Sequence, residues 1–257
     1  MSPVAKIRRS YRLFDPKKKE PFRLSRSKIE LFLQCPCCFY LDRRLGVARP
    51  PSFPFNLNNA VDTLLKKEFD IHRARGSRHP LMKAYGVKAV PFQHERMEEW
   101  RDALRRGVTY LHPSTNFLVT GGVDDLWIGE DDALIVVDYK ATSKEGEVGI
   151  NADWQMSYKR QMEIYQWLLR RNDFEVSSIG YFVYCNGKTD RKAFDGKLEF
   201  DIKLVPYEGN DAWIEPTLEK IHTCLKSKKV PEPAEACEYC HYRESVHRVT
   251  RQQEMSF

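Results

Sequence analysis

The stretch Gly121-Gly122-Val123-Asp124-Asp125, followed by an apolar run Ala133–Val137 that closes on Asp138-Tyr139-Lys140, constrains this chain more than any other feature. Residues 117–128 are β-rich around a glycine pair, and residues 133–140 are a short apolar run ending in charge. Gly129–Asp132 lies between them and suits a turn, so the two segments are expected to form a hairpin with Asp124 in its first strand. Side chains alternate along a strand, so Asp138 and Lys140, two positions apart, point to the same face. If the hairpin pairs, Asp124 lies beside Asp138 on that face.

Two carboxylates and an ammonium converging in this way have a chemical use. Carboxylate oxygens hold Mg²⁺ or Mn²⁺, and such an ion acidifies bound water and screens a phosphate. A lysine beside it orients or deprotonates that water and offsets developing charge. The backbone carbonyl of Tyr139 is a further ligand candidate. The alternative is an ordinary surface hairpin with an Asp/Lys pair, since Asp-x-Lys alone is a common tripeptide.

The chain has 257 residues, of which 42% are apolar and 30% charged. That suits one α/β domain with extensions, or at most two small ones. There is no apolar run long enough to span a bilayer and no apolar core to the N-terminal segment that would make it a secretory signal. A cytoplasmic protein without membrane contact is expected. Of the net charge of +6, residues 1–20 carry an excess of +5. This segment is expected to be a flexible basic arm, either a solvated tail or a contact for nucleic-acid phosphates. The seven cysteines, in a reducing compartment, do not suggest a disulfide framework. Cys185 and Cys224 stand alone and read as core residues.

The remaining segments set an order. Residues 25–45 read as a helix interrupted at Pro36, 49–56 as Pro-rich loop, 57–73 as a second helix, and 93–110 as a third with Met97, Trp100 and Leu104 on one face. Residues 153–171 and 210–227 read as helices, 178–185 and 198–205 as strands, and the chain from Pro231 as loop bearing a cysteine pair. Trp100, Trp154 and Trp167 have helical spacings typical of core. The expected architecture is a mixed central sheet flanked by helices. Beyond the arm, it forms a single domain, 21–257: a helical part at 21–115, a core at 116–207, and a C-terminal helix and cysteine segment at 208–257.

These residues resemble the RecB-like branch of the PD-(D/E)XK nuclease superfamily. Gly121-Gly122-Val123-Asp124 is similar to its G-x-x-D motif, and Asp138-Tyr139-Lys140 to its D-x-K motif. Gln161 through Tyr165 is similar to its Q-x-x-x-Y motif, with the two named residues on one helix face. Leu24 to Pro36 resembles the opening of members that place a cysteine before the nuclease core, and Cys237 to Arg243 resembles their closing C-x-x-C-x-Y-R. Each motif is weak alone; in this order, across most of the chain, they are specific.

The resemblance implies a restriction-endonuclease-like α/β core and a metal-dependent DNA nuclease. Asp124 and Asp138 ligate Mg²⁺ or Mn²⁺, Lys140 serves the attacking water, and Gln161 and Tyr165 shape the substrate side. It also implies Cys35, Cys237 and Cys240 as ligands of an iron–sulfur cluster, as in CRISPR adaptation nucleases and helicase–nuclease complexes. A helicase or CRISPR adaptation protein is the implied partner, and DNA ends or single strands the implied substrate, with exonuclease action favoured. The sequence departs from the pattern twice. The position of a third C-terminal cysteine is Val246, which leaves the fourth ligand open among its neighbour His247, Cys38 and Cys37. A cluster, a zinc site and no metal all stay open, and Cys37 and Cys38 read as helix-packing residues. Where members carry a histidine on an early helix, this chain has Asp62, an oxygen ligand. His72 and His79 fit that position less well. A non-cleaving DNA-binding subunit is the rival reading, and a small-molecule or RNA-processing enzyme on the same scaffold a third.

Overall fold

The computed structural model describes residues 13–51 and 56–254. Along the chain the elements are β1 (Phe22–Ser25), α1 (Arg26–Gln34), α2 (Pro36–Arg43), α3 (Asn56–Arg75), α4 (Pro80–Ala84), β2 (Ala89–Pro91), α5 (Met97–Arg101), β3 (Val108–His112), β4 (Phe117–Gly121), β5 (Asp125–Gly129) and β6 (Leu134–Thr142). After a 3-10 turn at Asp153–Gln155 come α6 (Met156–Arg170), β7 (Ile179–Gly187), β8 (Phe200–Glu208), α7 (Ile214–Lys226) and α8 (Glu238–Glu254). Two compact units form. One comprises Phe53–Tyr110 and Val119–Ala212; the other comprises Met1–Ser52, Leu111–Leu118 and Trp213–Phe257.

The first of these units holds a five-stranded mixed sheet of order β2-β5-β6-β7-β8. β5 and β6 form the expected antiparallel hairpin, with Asp125 opposite Val137 and Trp127 opposite Ile135. The turn closes where Gly129 donates its N–H to Ala133 at 3.0 Å and Asp132 takes a positive φ of 61°. β6 then pairs parallel with β7, Asp138 against Phe182 and Lys140 against Tyr184. A parallel pair needs a crossover, and α6 supplies it.

Alternation along β6 assigns the two faces. Val137 and Tyr139 face a core built with Leu65 and Phe69 of α3, Trp127 of β5 and Val183 of β7. Phe69 stacks on Trp127 with ring centroids 5.5 Å apart. Asp138 instead faces α6, where Gln161 bonds to it. The sheet is therefore flanked by helices, as the apolar runs imply. Fully burying an aliphatic or aromatic side chain of this kind contributes about 1.5–3 kcal/mol, so the central strands are anchored on both faces.

In the other unit α1 and α2 pack against each other and against α7. Lys28 of α1 pairs with the buried Asp42 of α2 at 2.5 Å. Among the described residues no helix is long and apolar enough to cross a membrane.

Several segments differ from expectation. The helix expected over 25–45 is two helices: Cys35 is extended (φ −162°, ψ 106°), and Pro36 begins α2, where its missing N–H costs nothing. The helix expected over 93–110 is only Met97–Arg101. Met97 and Trp100 are buried, but Leu104 is exposed, and Gly107 at φ 78° turns the chain into β3. The tail after Pro231 is not all loop, because Glu238–Glu254 is a polar helix free of Gly and Pro. Trp154 is exposed on the surface, whereas Trp100 and Trp167 are core residues. Of the expected basic arm, residues 1–12 lie outside the described residues. Phe14 is buried against Phe22 and Phe117, so the arm ends earlier than residue 20. Residues 52–55 of the Pro-rich loop also lie outside the described residues.

Candidate active site and cysteine centre

Asp138 and Lys140 share one face of β6, and the Lys140 ammonium pairs directly with the Asp138 carboxylate. Asp124 is not within a strand. It occupies the irregular step between β4 and β5, one residue before the ladder begins at Asp125. Continuing the register brings it level with Asp138 as expected. Its Oδ2 accepts the backbone N–H of Tyr139 at 3.0 Å, which fastens it across the hairpin to the middle of Asp138-Tyr139-Lys140.

The glycine pair before Asp124 has a packing reason. A Cβ on Gly121 would lie 2.7 Å from the Tyr165 ring, and one on Gly122 would lie 2.4 Å from the Cβ of Ala103. Both distances are shorter than real carbon contacts, so the backbone passes closely between α6 and the loop after α5.

Gln161 and Tyr165 stand one turn apart on α6. Gln161 Nε2 donates to Asp138 Oδ1 at 2.7 Å and to the Tyr165 hydroxyl at 3.1 Å. Tyr165 is almost fully buried, so it supports Gln161 from within the core. The ring of Tyr158, a turn earlier, lies 4.5 Å from the Lys140 ammonium, a cation–π contact. Burial works against the Lys140 charge, but the Asp138 and Asp124 carboxylates outweigh it and raise the pKa above the usual lysine value.

A cleft of about 300 Å³ opens beside Lys140 and Tyr158, lined also by Asn58, Asp62, Asp124 and Tyr139; Asp138 is fully buried and is not part of its lining. Asp62 comes from α3. Burial and the neighbouring Asp124 charge raise its pKa above the usual carboxylate range, with Lys66 opposing. The Lys66 ammonium lies 2.8 Å from Asp62 Oδ2 and 3.6 Å from Asp124 Oδ1. It bridges two carboxylates as a cation would. Sequence reasoning overlooked Lys66, although its i,i+4 spacing from Asp62 was the available signal. The hard oxygen donors of Asp62, Asp124 and Asp138 suit Mg²⁺ or Mn²⁺.

Asp125 was also overlooked. It is fully buried and pairs with Arg73 and, at 3.2 Å, with Arg101. It also accepts the Tyr139 hydroxyl at 2.8 Å. Arg101 donates onward to the Asp124 carbonyl at 3.2 Å and to Asp70 at 2.9 and 3.0 Å. The hub therefore fixes the backbone that carries Asp124. The Tyr139 ring points into this hub and away from Asp138. Burial and Asp125 hold its phenol neutral, far above the ordinary tyrosine value.

His79 is structural. It caps α4, stacks on Phe69 at 4.2 Å and pairs with Glu68 at 2.8 Å. Neither it nor His72 lines the cleft.

Four cysteines of the other unit converge. Cys35, Cys38, Cys237 and Cys240 are all buried, and their sulfurs lie within 4.8 Å of one another. Cys35, in the break between α1 and α2, accepts the N–H groups of Cys38 and Ala234, each at 3.5 Å. Burial opposes its ionisation, but these amides lower its pKa to about 6. Cys38 is a member of the group and not merely a helix-packing residue. His247 is exposed on α8 and outside the group; Cys37 is buried in α2 but also outside the group, its sulfur 3.9 Å from Arg243. Thiolate donors suit a soft metal or an iron–sulfur cluster. Cys185 is buried in the sheet core, whereas Cys224 is only half-buried.

No curated protein matches the chain. Among solved structures, the crystal structure of SSO0001 is similar at 14% identity and a TM-score of 0.39, over 84% of this chain and 82% of that one. Residues 23–245 match the PD-(D/E)XK nuclease superfamily, a span that takes in the hairpin, the α6 motif and all four clustered cysteines. The chain belongs to the PD-(D/E)XK nuclease superfamily.

Proposed function

We propose that this chain is a metal-dependent deoxyribonuclease of the RecB-like branch, hydrolysing phosphodiester bonds at DNA ends or on single strands. The observation that carries this reading is the hydrogen bond from the Tyr139 amide to Asp124, which brings a second carboxylate to the Asp138/Lys140 pair at the edge of an open cleft. Asp124 and Asp138, with Asp62 as the third carboxylate, would hold a divalent cation, which would supply Lewis acidity and lower the pKa of a bound water. Lys140, paired with Asp138, is placed to orient the attacking water or to offset charge on a phosphate oxygen. Gln161 holds the Asp138 carboxylate in place, and Tyr165 holds Gln161. Superfamily resemblance supports exonucleolytic action in repair, recombination or CRISPR adaptation, with a helicase or adaptation protein as partner.

The test is cleavage of labelled single-stranded and blunt duplex DNA by the purified chain with Mn²⁺ or Mg²⁺, beside Lys140→Ala. Cleavage lost in the variant supports the proposal; no cleavage of any substrate, or equal cleavage by the variant, sinks it.

A second reading, a DNA-binding subunit that does not cleave, is favoured by Lys66, whose ammonium already bridges Asp62 and Asp124. Salt-sensitive DNA binding without metal-dependent cutting identifies it.

A further inference from the structure

The four clustered cysteines come as two Cys-x-x-Cys steps, Cys35-Pro36-Cys37-Cys38 and Cys237-Glu238-Tyr239-Cys240. Paired steps of this kind are the spacing of a structural zinc site. We propose that Cys35, Cys38, Cys237 and Cys240 hold one tetrahedral Zn²⁺ ion and not an iron–sulfur cluster.

The sulfur geometry makes the distinction. Four thiolates at a Zn–S distance of about 2.3 Å form a tetrahedron with edges of about 3.8 Å. Here Cys38 lies 3.6 Å from Cys237 and 3.6 Å from Cys240, and Cys35 lies 3.8 Å from Cys240. No pair exceeds 4.8 Å. An iron–sulfur cluster interposes at least two irons and their bridging sulfides between its thiolates. Cysteines on opposite irons then stand farther apart than any pair in this group. The separations are equally unlike a disulfide, whose sulfurs are bonded at about 2.05 Å.

The surroundings also match. Four thiolates around a dication leave a net charge of −2. Arg49 offsets part of it, donating to Cys237 Sγ at 3.4 Å. The Cys38 and Ala234 amides donate to Cys35 Sγ at 3.5 Å, as amides do around metal-bound sulfur. The set is closed, with four protein ligands, which is the mark of a structural rather than a catalytic zinc. Its effect is to staple Cys35 to Cys240, 205 positions away, within one unit. This inference does not depend on the nuclease reading, because the cleft residues belong to the other unit.

The full chain is expressed with iron and zinc both supplied and purified without oxygen. Metal and acid-labile sulfide are then measured with the visible spectrum. One zinc per chain, no sulfide and no visible absorption is the expected result. Replacement by Co²⁺ then gives the intense absorption of tetrahedral cobalt–thiolate. Iron with sulfide in a brown protein overturns the proposal, as does a chain with no bound metal. Cys38→Ser is expected to lose the ion, while Cys37→Ser keeps full occupancy. If Cys38→Ser fails to fold, chelator-driven zinc release from the wild-type chain and from Cys37→Ser decides. Equal release supports the assignment, and faster release from Cys37→Ser refutes it.

Discussion

Gln161 donates its side-chain amide to Asp138 at 2.7 Å, tying the helix that crosses over the sheet to the carboxylate in the middle of the strand beneath it. Groups that orient a metal-ligating carboxylate typically govern metal affinity or activity by about 10–100-fold. Gln161→Leu is therefore expected to raise the Mn²⁺ concentration needed for half-maximal cleavage, with DNA binding in the absence of metal unchanged. Gln161→Glu, which sets a second negative charge against Asp138, should be at least as impaired. An unchanged metal requirement in both variants would contradict the positioning role.

Lys66 counterbalances Asp62 and Asp124. Removing it as Lys66→Met leaves two carboxylates facing each other. In a chelator, thermal unfolding should fall by about 1 kcal/mol, the scale of a partly exposed pair, which is about 2–4 °C for a chain of this size. Added Mn²⁺ should raise the melting temperature of the variant more than that of the wild type. A smaller metal response would show that Lys66 and the cation do not compete for one place.

Acid should weaken metal binding early. The pKa of Asp62 is raised by burial and by Asp124, so the folded chain takes up this proton more readily than the unfolded one. In the metal-free protein that contribution to stability is complete below the ordinary aspartate value and is lost as pH rises through the raised one. A cation requires the ionised form, so Mn²⁺ affinity should climb with pH over that same window. Calorimetric titration upward from about pH 4, the ordinary aspartate value, should show the climb in the wild type and a flatter profile in Asp62→Asn.

Asp125 is fully buried among Arg73, Arg101 and the Tyr139 hydroxyl. Deleting one member of such a group leaves buried charge uncompensated, at a cost of about 3–5 kcal/mol. Asp125→Ala should lower the urea midpoint accordingly, and cleavage should fall with it because Arg101 also holds the Asp124 carbonyl. Unfolding at the wild-type midpoint would refute the hub.

The parts of the site that follow a short period were legible in the sequence. Alternation put Asp138 and Lys140 on one face, the apolar run gave β6, and helical spacing paired Gln161 with Tyr165. The turn residues Gly129–Asp132 fixed a register that carries Asp124 to Asp138. Elsewhere long-range packing decided. Asp124 lies outside the strands, after a glycine pair that passes close to Tyr165 and Ala103. The helix of Met97 and Trp100 ends at Arg101, where Asp102 leaves the helical region (φ −79°, ψ 73°). Asp125 had no role assigned from the sequence, because the two arginines that make it a buried hub arrive from α3 and α5. Cys38 looked like helix packing because its partners lie 199 and 202 positions away.

The most direct measurement is Mn²⁺-dependent cleavage of end-labelled DNA by the wild-type chain and by Asp138→Asn, with DNA binding and thermal unfolding recorded for both. The expected result is cleavage by the wild type and its loss in Asp138→Asn, while folding and binding persist. Cleavage by the variant at the wild-type rate, or none by the wild type with either Mn²⁺ or Mg²⁺, would contradict the assignment of this hairpin as the catalytic centre.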